Sequence, residues 1–366
     1  MRIAFLTPMK SPASSVPSGD RTFARLLLAA LASAGHTVVQ PTPFRSWRST
    51  PEDFDAVAAE GARAAALAVD ALADAPPDQV LTYHNYHKAP DLVGPVIAAA
   101  YCVPYAIVEA SRAPTRAAGP WAKAFAAADR ALAAADALGA VTNRDVPELM
   151  AFRPDAVVRF PPFIDTAPFH APHEGSASGE TIVCVAMMRE GRKADSIAVL
   201  ADAFEKVRAR RPSARLVSAG AGPARDRLEP LFPKGTMVGR LEQGDLARLL
   251  QRCDVFAWPA IAEPFGFTFL EAQAAGLPVV GGAAEGVRDV VRDGETGLLT
   301  PEGDATAFAG ALEHLLADTP KRRRMGAAAQ AFAAANDLHA GALRLDTLLD
   351  HAATRFAARS QAARPA

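Results

Sequence analysis

Residues 259–300, PAIAEPFGFTFLEAQAAGLPVVGGAAEGVRDVVRDGETGLLT, constrain this 366-residue chain more than any other stretch. Pro264 keeps Glu263 out of the helical region, because its ring clashes with a helical preceding residue. A helix starts near Gly266 to Thr268, runs through Glu271 and stops at Gly276, with Pro278 just beyond. The apolar run Leu277 to Val280 reads as a buried strand. Glu263 therefore sits on a loop, the Gly266, Phe267 and Thr268 amides sit at a helix start, and Glu271 lies in the first turns. Unpaired amides and the positive end of a helix dipole attract phosphate or another anion. Two carboxylates beside them can accept hydrogen bonds from sugar hydroxyls. Acidic residues also gather at helix starts for dipole reasons alone, so the residues by themselves leave both readings open.

The length suits two domains, each able to bury its own core. Residues 1–165 carry 15 Lys and Arg against 16 Asp and Glu, leaving 24 against 24 in the remainder. Neither half is basic, which argues against a nucleic-acid partner. The run Lys321–Arg324 reads as a solvated helix face. Cys102, Cys184 and Cys253 are widely spaced in apolar surroundings and suit reduced, buried thiols of a cytoplasmic protein. Ile3–Leu6 is too short for a signal peptide. Val93–Val108 lacks charge but contains Pro95 and Pro104, a helix-then-strand pattern too short to span a bilayer. No transmembrane segment is expected.

Arg2–Leu6 reads as a strand, Thr7–Asp20 as a loop, Arg21–Ala34 as a helix and His36–Gln40 as the next strand. That opening belongs to a doubly wound parallel sheet, which binds ligands beyond the carboxyl ends of its strands. The loop lacks G-x-G-x-x-G, which disfavours a dinucleotide-binding dehydrogenase. Gln79–Tyr83 is a strand that ends in Tyr83-His84-Asn85-Tyr86-His87-Lys88, so His84 and His87 are candidates for an acceptor surface. Pro104–Val108 is another strand and ends at Glu109, which can contact an acceptor or serve as a base. Gly175–Gly179 reads as a flexible insert. A second set of elements begins with strand Thr181–Ala186, followed by Arg189, Arg192 and Lys193 and by helix Ile197–Arg210. Strand Arg215–Ala219 leads to Gly220-Ala221-Gly222-Pro223. Strand-end cations opposite a helix-start anion site suit a diphosphate. Phe44–Arg48 reads as a surface loop that can touch a membrane weakly.

The run Glu263-Pro-Phe-Gly266-Phe-Thr-Phe-Leu-Glu271-Ala-Gln-Ala-Ala-Gly276-Leu-Pro278-Val-Val resembles the E-x-F-G-x-x-x-x-E-A-x-A-x-G-x-P-V-V signature of family 4 glycosyltransferases. Asp293-Gly294-Glu295-Thr296-Gly297-Leu298-Leu299 resembles that family's D-G-x-T-G-x-L. The resemblance is strong across the second half and weak across the first. It implies an α/β fold of the GT-B type, with two Rossmann-like doubly wound parallel-sheet domains and an interdomain cleft. The domains expected are 1–165 for the acceptor and 166–340 for the donor, with 341–366 a helix crossing back to the first. Hinge motion is expected at 160–175.

The activity implied is retaining transfer of a sugar from a nucleotide-diphosphate sugar to an acceptor hydroxyl, with no cofactor. Arg189 and Lys193 match the diphosphate-binding Arg and Lys, though Ala194 stands where the family has Gly. Glu263 would hold hydroxyls of the transferred sugar and Glu271 those of the ribose. A phosphate oxygen would take the acceptor's proton. Gly220 falls in a G-x-G-P turn, Arg240 beside the base, and Gly19 in a Gly-Gly loop of which one glycine is present. Glu109 stands where many members have a His that approaches the sugar, so that role does not carry over. Asp53-Phe54-Asp55 looks like a metal-binding D-x-D, but it opens an Ala-rich helix where acidic residues suit the dipole, and no metal is expected. The acceptor would be a glycan, a lipid-linked or a small molecule. A nucleotide-sugar epimerase or hydrolase, and a non-catalytic binding relative, are the alternatives.

Overall fold

Short β-branched runs alternating with Ala- and Leu-rich helices make strand–helix–strand units, and parallel strands joined this way must cover both sheet faces with helices. The computed structural model describes residues 1–362. The chain divides into two units, Met1–Pro162 together with the chain from Leu338 onward, and Phe163–Asp337.

In the first unit the elements run β1 (Arg2–Leu6), α1 (Gly19–Ser33), β2 (Thr37–Val39), α2 (Phe54–Ala71), β3 (Gln79–Asn85), α3 (Gly94–Tyr101), β4 (Tyr105–Ala110), α4 (Ala122–Ala134), β5 (Ala137–Ala140), α5 (Val146–Phe152) and β6 (Val157–Arg159). The sheet order is β2-β1-β3-β4-β5-β6, and every pairing is parallel. Strand order reverses between β1 and β3, the place where such sheets open a crevice beyond the carboxyl ends. Ile3–Leu6, Val80, Leu81 and Tyr105–Val108 are buried, and Ala65 and Ala68 of α2 and Ile97 of α3 share one core with Ala4, Leu6, Val80, Tyr105 and Ile107.

The second unit runs β7 (Thr181–Val185), α6 (Arg192–Arg210), β8 (Arg215–Ala219), α7 (Arg225–Leu228), β9 (Met237–Gly239), α8 (Gln243–Gln251), β10 (Val255–Trp258), α9 (Phe267–Ala274), β11 (Val279–Gly282), β12 (Gly297–Thr300), α10 (Ala305–Ala317) and α11 (Thr319–Ala334). Its order, β12-β11-β10-β7-β8-β9, is again all parallel and reverses between β7 and β10. The chain then returns to the first unit as α12 (Leu338–Ala362), packed on α1, β4 and β5. Leu345, Leu348 and Leu349 are fully buried there. Two six-stranded parallel sheets flanked by helices make the doubly wound α/β architecture expected for each half.

Several local expectations need correcting. Gly19 is the first residue of α1 rather than part of a loop, because Ser18 caps the helix by accepting from the Arg21 amide at 3.1 Å. Lys193 lies in the first turn of α6, which begins five residues before Ile197. Gly175–Gly179 is no loose insert: Asp254 accepts from the Ser176 amide (3.2 Å) and hydroxyl and from the Thr181 amide (2.8 Å). Arg322 is buried rather than solvated, donating to the Leu315 and Leu316 carbonyls at 3.1 and 3.3 Å that α10 itself leaves open. Cys102 is exposed, whereas Cys184 and Cys253 are buried and burial pushes both thiols up to about 12. Phe44 packs against the first core, and Ser46 is buried and donates to the Pro90 carbonyl at 2.6 Å.

Candidate functional site

The switch between β7 and β10 carries the densest chemistry of the second unit. β10 ends at Trp258, and the loop after it turns sharply. Ala260 and Ala262 adopt φ of 53° and 48°, a left-handed backbone that costs alanine stability and persists only when its surroundings enforce it. The enforcement is visible. Ser196 of α6 accepts from the Ile261 amide at 3.0 Å, and Glu302 accepts from the Ala262 amide at 2.5 Å. Two glycines let the loop sit down: a Cβ at Gly282 would lie 1.7 Å from the Pro259 carbonyl oxygen, and one at Gly286 1.3 Å from that of Pro264.

The loop delivers Glu263 to Lys193. Their side chains form an ion pair, with the carboxylate 9% and the lysine 31% exposed. Trp258 Nε1 donates to the same carboxylate oxygen at 3.1 Å, and the Lys193 ammonium stands 5.1 Å from the centre of the indole ring. Gly266, at φ 75°, then caps α9, whose first turn begins with Phe267 and Thr268. The start of α9 is the positive end of its helix dipole, which favours an anion there. Glu271, further along α9, is half-buried. Its side chain has no hydrogen-bond or ion-pair partner among the described residues, and burial raises its pKa to about 7.

The neighbouring loops are contiguous with this one. The Gly220 amide donates to the Gly239 carbonyl at 2.8 Å, so the ends of β8 and β9 touch. A Cβ at Gly220 would lie 1.8 Å from the Ala186 carbonyl oxygen, and one at Gly222 2.2 Å from that of Met188, so the β8 turn lies flat on the segment leading to Arg189. Arg240 follows β9, more than half exposed and 3.5 Å from Glu242. Arg189, Lys193, Gly220, Arg240 and Glu263 thus all follow carboxyl ends of one sheet.

In the first unit the switch between β1 and β3 gathers Asp20, Tyr83, His84, Tyr86 and Glu109. His84 Nδ1 stands 3.6 Å from Glu109 Oε2. An aromatic run continues outward: His84 to Tyr86 (4.7 Å between ring centres), Tyr86 to His87 (5.2 Å) and His87 to Trp121 (5.2 Å). Burial, then Arg116 and Lys88, pull the His87 imidazole down to about 4, so it is neutral at pH 7. Asp53 caps α2 without a side-chain bond, and the exposed Asp55 pairs with Lys123. Among the described residues no group of His, Cys, Asp and Glu is arranged to hold a metal ion. No helix there is long and apolar enough to cross a membrane.

Residues 173–332 match the family model described as glycosyl transferases group 1. The second unit is a group 1 glycosyl transferase domain. The D-inositol 3-phosphate glycosyltransferase of Stackebrandtia nassauensis is 45% identical over 85 residues, 23% of this chain and 19% of that protein. The phosphatidyl-myo-inositol mannosyltransferase of Mycobacterium leprae is 34% identical over 154 residues, 41% of each. The matches thus span less than half the length of these curated relatives. Among solved structures, the sucrose-phosphate synthase of Thermosynechococcus elongatus superposes with a TM-score of 0.69 at 23% identity, over 98% of this chain and 99% of that one. Anabaena HepE in complex with UDP gives 0.66 at 17% identity, over 96% and 100%. At these identities the likeness establishes the GT-B fold.

Within the group 1 domain, the sequence signals that pointed to Glu263, Lys193 and the α9 start also bring them to one strand-end edge. Trp258, Ser196 and Glu302 escaped notice. Ser196 falls just before the helix that the sequence predicts from Ile197, so its place beside Lys193 on one helix face shows only in the fold. Glu302 has no local signal either, because only the tertiary fold brings it to Ala262.

Proposed function

We propose that the chain transfers a sugar from a nucleotide-diphosphate sugar to an acceptor hydroxyl. The observation that carries this reading is the Lys193–Glu263 pair, clasped against Trp258 at the start of α9 in a group 1 domain. A nucleoside diphosphate is already a good leaving group, so the protein has mainly to position it and take up its charge. Arg189, Lys193 and the first-turn amides of Phe267 and Thr268 receive the diphosphate, with Gly220 and Arg240 on the nucleotide side. Glu263 holds hydroxyls of the transferred sugar. Glu271, a carboxyl with no partner of its own, accepts from the ribose diol.

The reaction is retaining and needs no divalent metal, as in family 4. His84 and His87 belong to the acceptor side, Glu109 contacts the acceptor or serves as a base, and Gly19 lies on the donor-binding side. The names of the curated relatives point to polyol phosphates, glycans or lipid-linked polyols as acceptors, and the HepE complex to UDP as one nucleotide to try. The buried thiols of Cys184 and Cys253 suit the reducing cytoplasm.

Thermal-shift measurements with UDP-, GDP-, ADP- and TDP-linked sugars identify the nucleotide, in the presence and absence of EDTA. Calorimetry then compares wild type with Glu271→Ala for the sugar that binds. Equal affinities rule out the ribose role, and a flat response across the panel removes the whole reading. The anomeric configuration of the product, read by NMR, decides retention.

A further inference from the structure

Beyond the carboxyl edge of the first sheet stand two cations without a counter-charge. The Lys88 ammonium and the Arg116 guanidinium form no ion pair or hydrogen bond among the described residues. Lys88 Nζ lies 5.5 Å from the centre of the Trp121 ring. The neighbouring arginines are committed elsewhere. Arg112 grips Asp129 at 2.9 and 2.8 Å, and Arg48 donates to the Arg45 and Trp47 carbonyls at 3.2 and 2.8 Å. Burial first, then Arg116 and Lys88, keep the His87 imidazole neutral, so that ring sits in a positive field. The rings beside the cations are held in place. The Ala89 amide donates to the Tyr86 carbonyl at 2.9 Å, closing a tight turn, and the Arg48 amide donates to the Lys88 carbonyl at 2.9 Å. The Trp47 indole N–H donates to the Tyr86 hydroxyl. Tyr86, His87 and Trp121 follow one another edge to face, each half-buried, so part of each ring stays open. At the inner end of this run the sign of the charge reverses. There burial, with Asp20 and Glu109 adding to it, pushes the Tyr86 phenol up to about 12.

We infer that the loops after β3 and β4 bind a cyclic polyol that carries a phosphate. Lys88 and Arg116 pair with the phosphate, and Tyr86, His87 and Trp121 stack on the ring. Calling this ligand the acceptor rests on the reading of the chain as a glycosyltransferase. The binding itself does not, since every residue it uses lies in the first unit. Arg116 offers a planar fork of donors and Lys88 a point charge, and both gain more from phosphate than from a neutral oxygen. Half-open aromatic rings suit the apolar face of a sugar or cyclitol. Carboxylates at the inner end accept hydrogen bonds from ring hydroxyls. A neutral glycan leaves both cations idle, and Asp20 and Glu109 repel a longer polyanion at the inner end. A single phosphate on a polyol ring satisfies both ends. A free polyol phosphate and a lipid headgroup present that same chemistry.

The test is calorimetry of the full chain, without donor, against myo-inositol 1-phosphate, glucose 6-phosphate, myo-inositol and inorganic phosphate. Co-sedimentation with phosphatidylcholine vesicles, with and without phosphatidylinositol, supplies the lipid arm. A phosphorylated ring, free or on the vesicle, is expected to bind about 10-fold or more tightly than bare ring or inorganic phosphate, and less tightly as salt rises. Lys88→Gln and Arg116→Gln should each weaken that binding by about 10-fold and leave myo-inositol binding as in wild type. Trp121→Leu should weaken both. Neither cation holds another side chain, so the Gln variants should melt with wild type. Binding of the soluble compounds assigns the phosphate to a free polyol, and binding to phosphatidylinositol vesicles alone assigns it to a lipid headgroup. Either supports the site if the Gln variants weaken it. No binding across the panel overturns it, as does binding that the bare ring or inorganic phosphate matches, or that both Gln variants retain. Nucleotide-sugar binding by the same protein separates the two readings. Donor bound without any phosphorylated ring removes this site and leaves the transferase reading standing. A phosphorylated ring bound without any donor keeps the site and removes the ligand's role as acceptor.

Discussion

Glu271 is a carboxyl whose charged form the fold holds at a disadvantage. Burial raises its pKa from the ordinary 4.5 to about 7, and no side-chain partner among the described residues offsets that. A group whose folded pKa exceeds its unfolded one contributes most below the unfolded value, and its contribution is lost as pH rises through the folded value. The second unit should therefore lose stability between about pH 4.5 and 7, by on the order of 1–3 kcal/mol. Glu271→Gln removes the ionisation. It is expected to match wild type near pH 5 and to melt higher at pH 8, while binding nucleotide sugar less tightly. Thermal unfolding at the two pH values checks this, and a variant that melts lower at pH 8 refutes it. Close backbone approach is the other feature at this scale. A methyl at Gly286 cannot coexist with the Pro264 carbonyl 1.3 Å away. Gly286→Ala should cost about 2–4 kcal/mol and weaken nucleotide binding by shifting Glu263, and thermal melts with calorimetry would measure both.

Among elements, the loop from Pro259 to Gly266 depends on α6, because Lys193 and Ser196 of that helix hold its side chain and its backbone. Lys193→Met leaves the nearly buried Glu263 with Trp258 as its sole hydrogen-bond donor among the described residues. Because the lysine is about one-third exposed, solvent screening limits the expected loss to roughly 1–3 kcal/mol. Removing an ammonium from over the indole should also shift the tryptophan emission. Unchanged emission and an unchanged melting temperature would show that the pair is idle in solution. The loop and α9 were legible in sequence because Pro264, Gly266, Gly276 and Pro278 punctuate them locally. Where α6 begins was not, because Arg192, Lys193 and Asp195 show no apolar period and the helix lacks a side-chain cap. Arg322 was misread for a related reason. Its run of four basic residues looks solvated, and only the fold brings it under the open carbonyls of α10. His84 and Glu109 were legible as strand-end polar residues, but their pairing belongs to the β3–β4 register, which no local pattern encodes.

For the whole molecule, the chain's order and its packing disagree in one place: α12 comes last, after the second unit, yet belongs to the first. The sequence put divisions after residues 165 and 340, and the structure puts them after Pro162 and Asp337. The difference follows from packing, since Phe163 and Ile164 are buried and the Ile164 amide donates to the Asn336 carbonyl at 3.0 Å, joining the segments that enter and leave the second unit. On the first unit, α12 buries Leu345, Leu348 and Leu349, Gln79 donates to the Leu349 carbonyl at 3.0 Å, and Arg359 pairs with Asp136 at 3.1 Å. Truncating one such leucine costs about 2–5 kcal/mol. Losing three exceeds much of the ~5–15 kcal/mol that holds a typical domain together. A chain ending at Asp337 should therefore lose amide protection in β4 and β5 and keep it in β10 and β11. Hydrogen exchange read by mass spectrometry separates the two sheets. Retained protection in β4 and β5 would mean that the first unit folds without α12, and loss in both sheets that the second unit cannot stand alone.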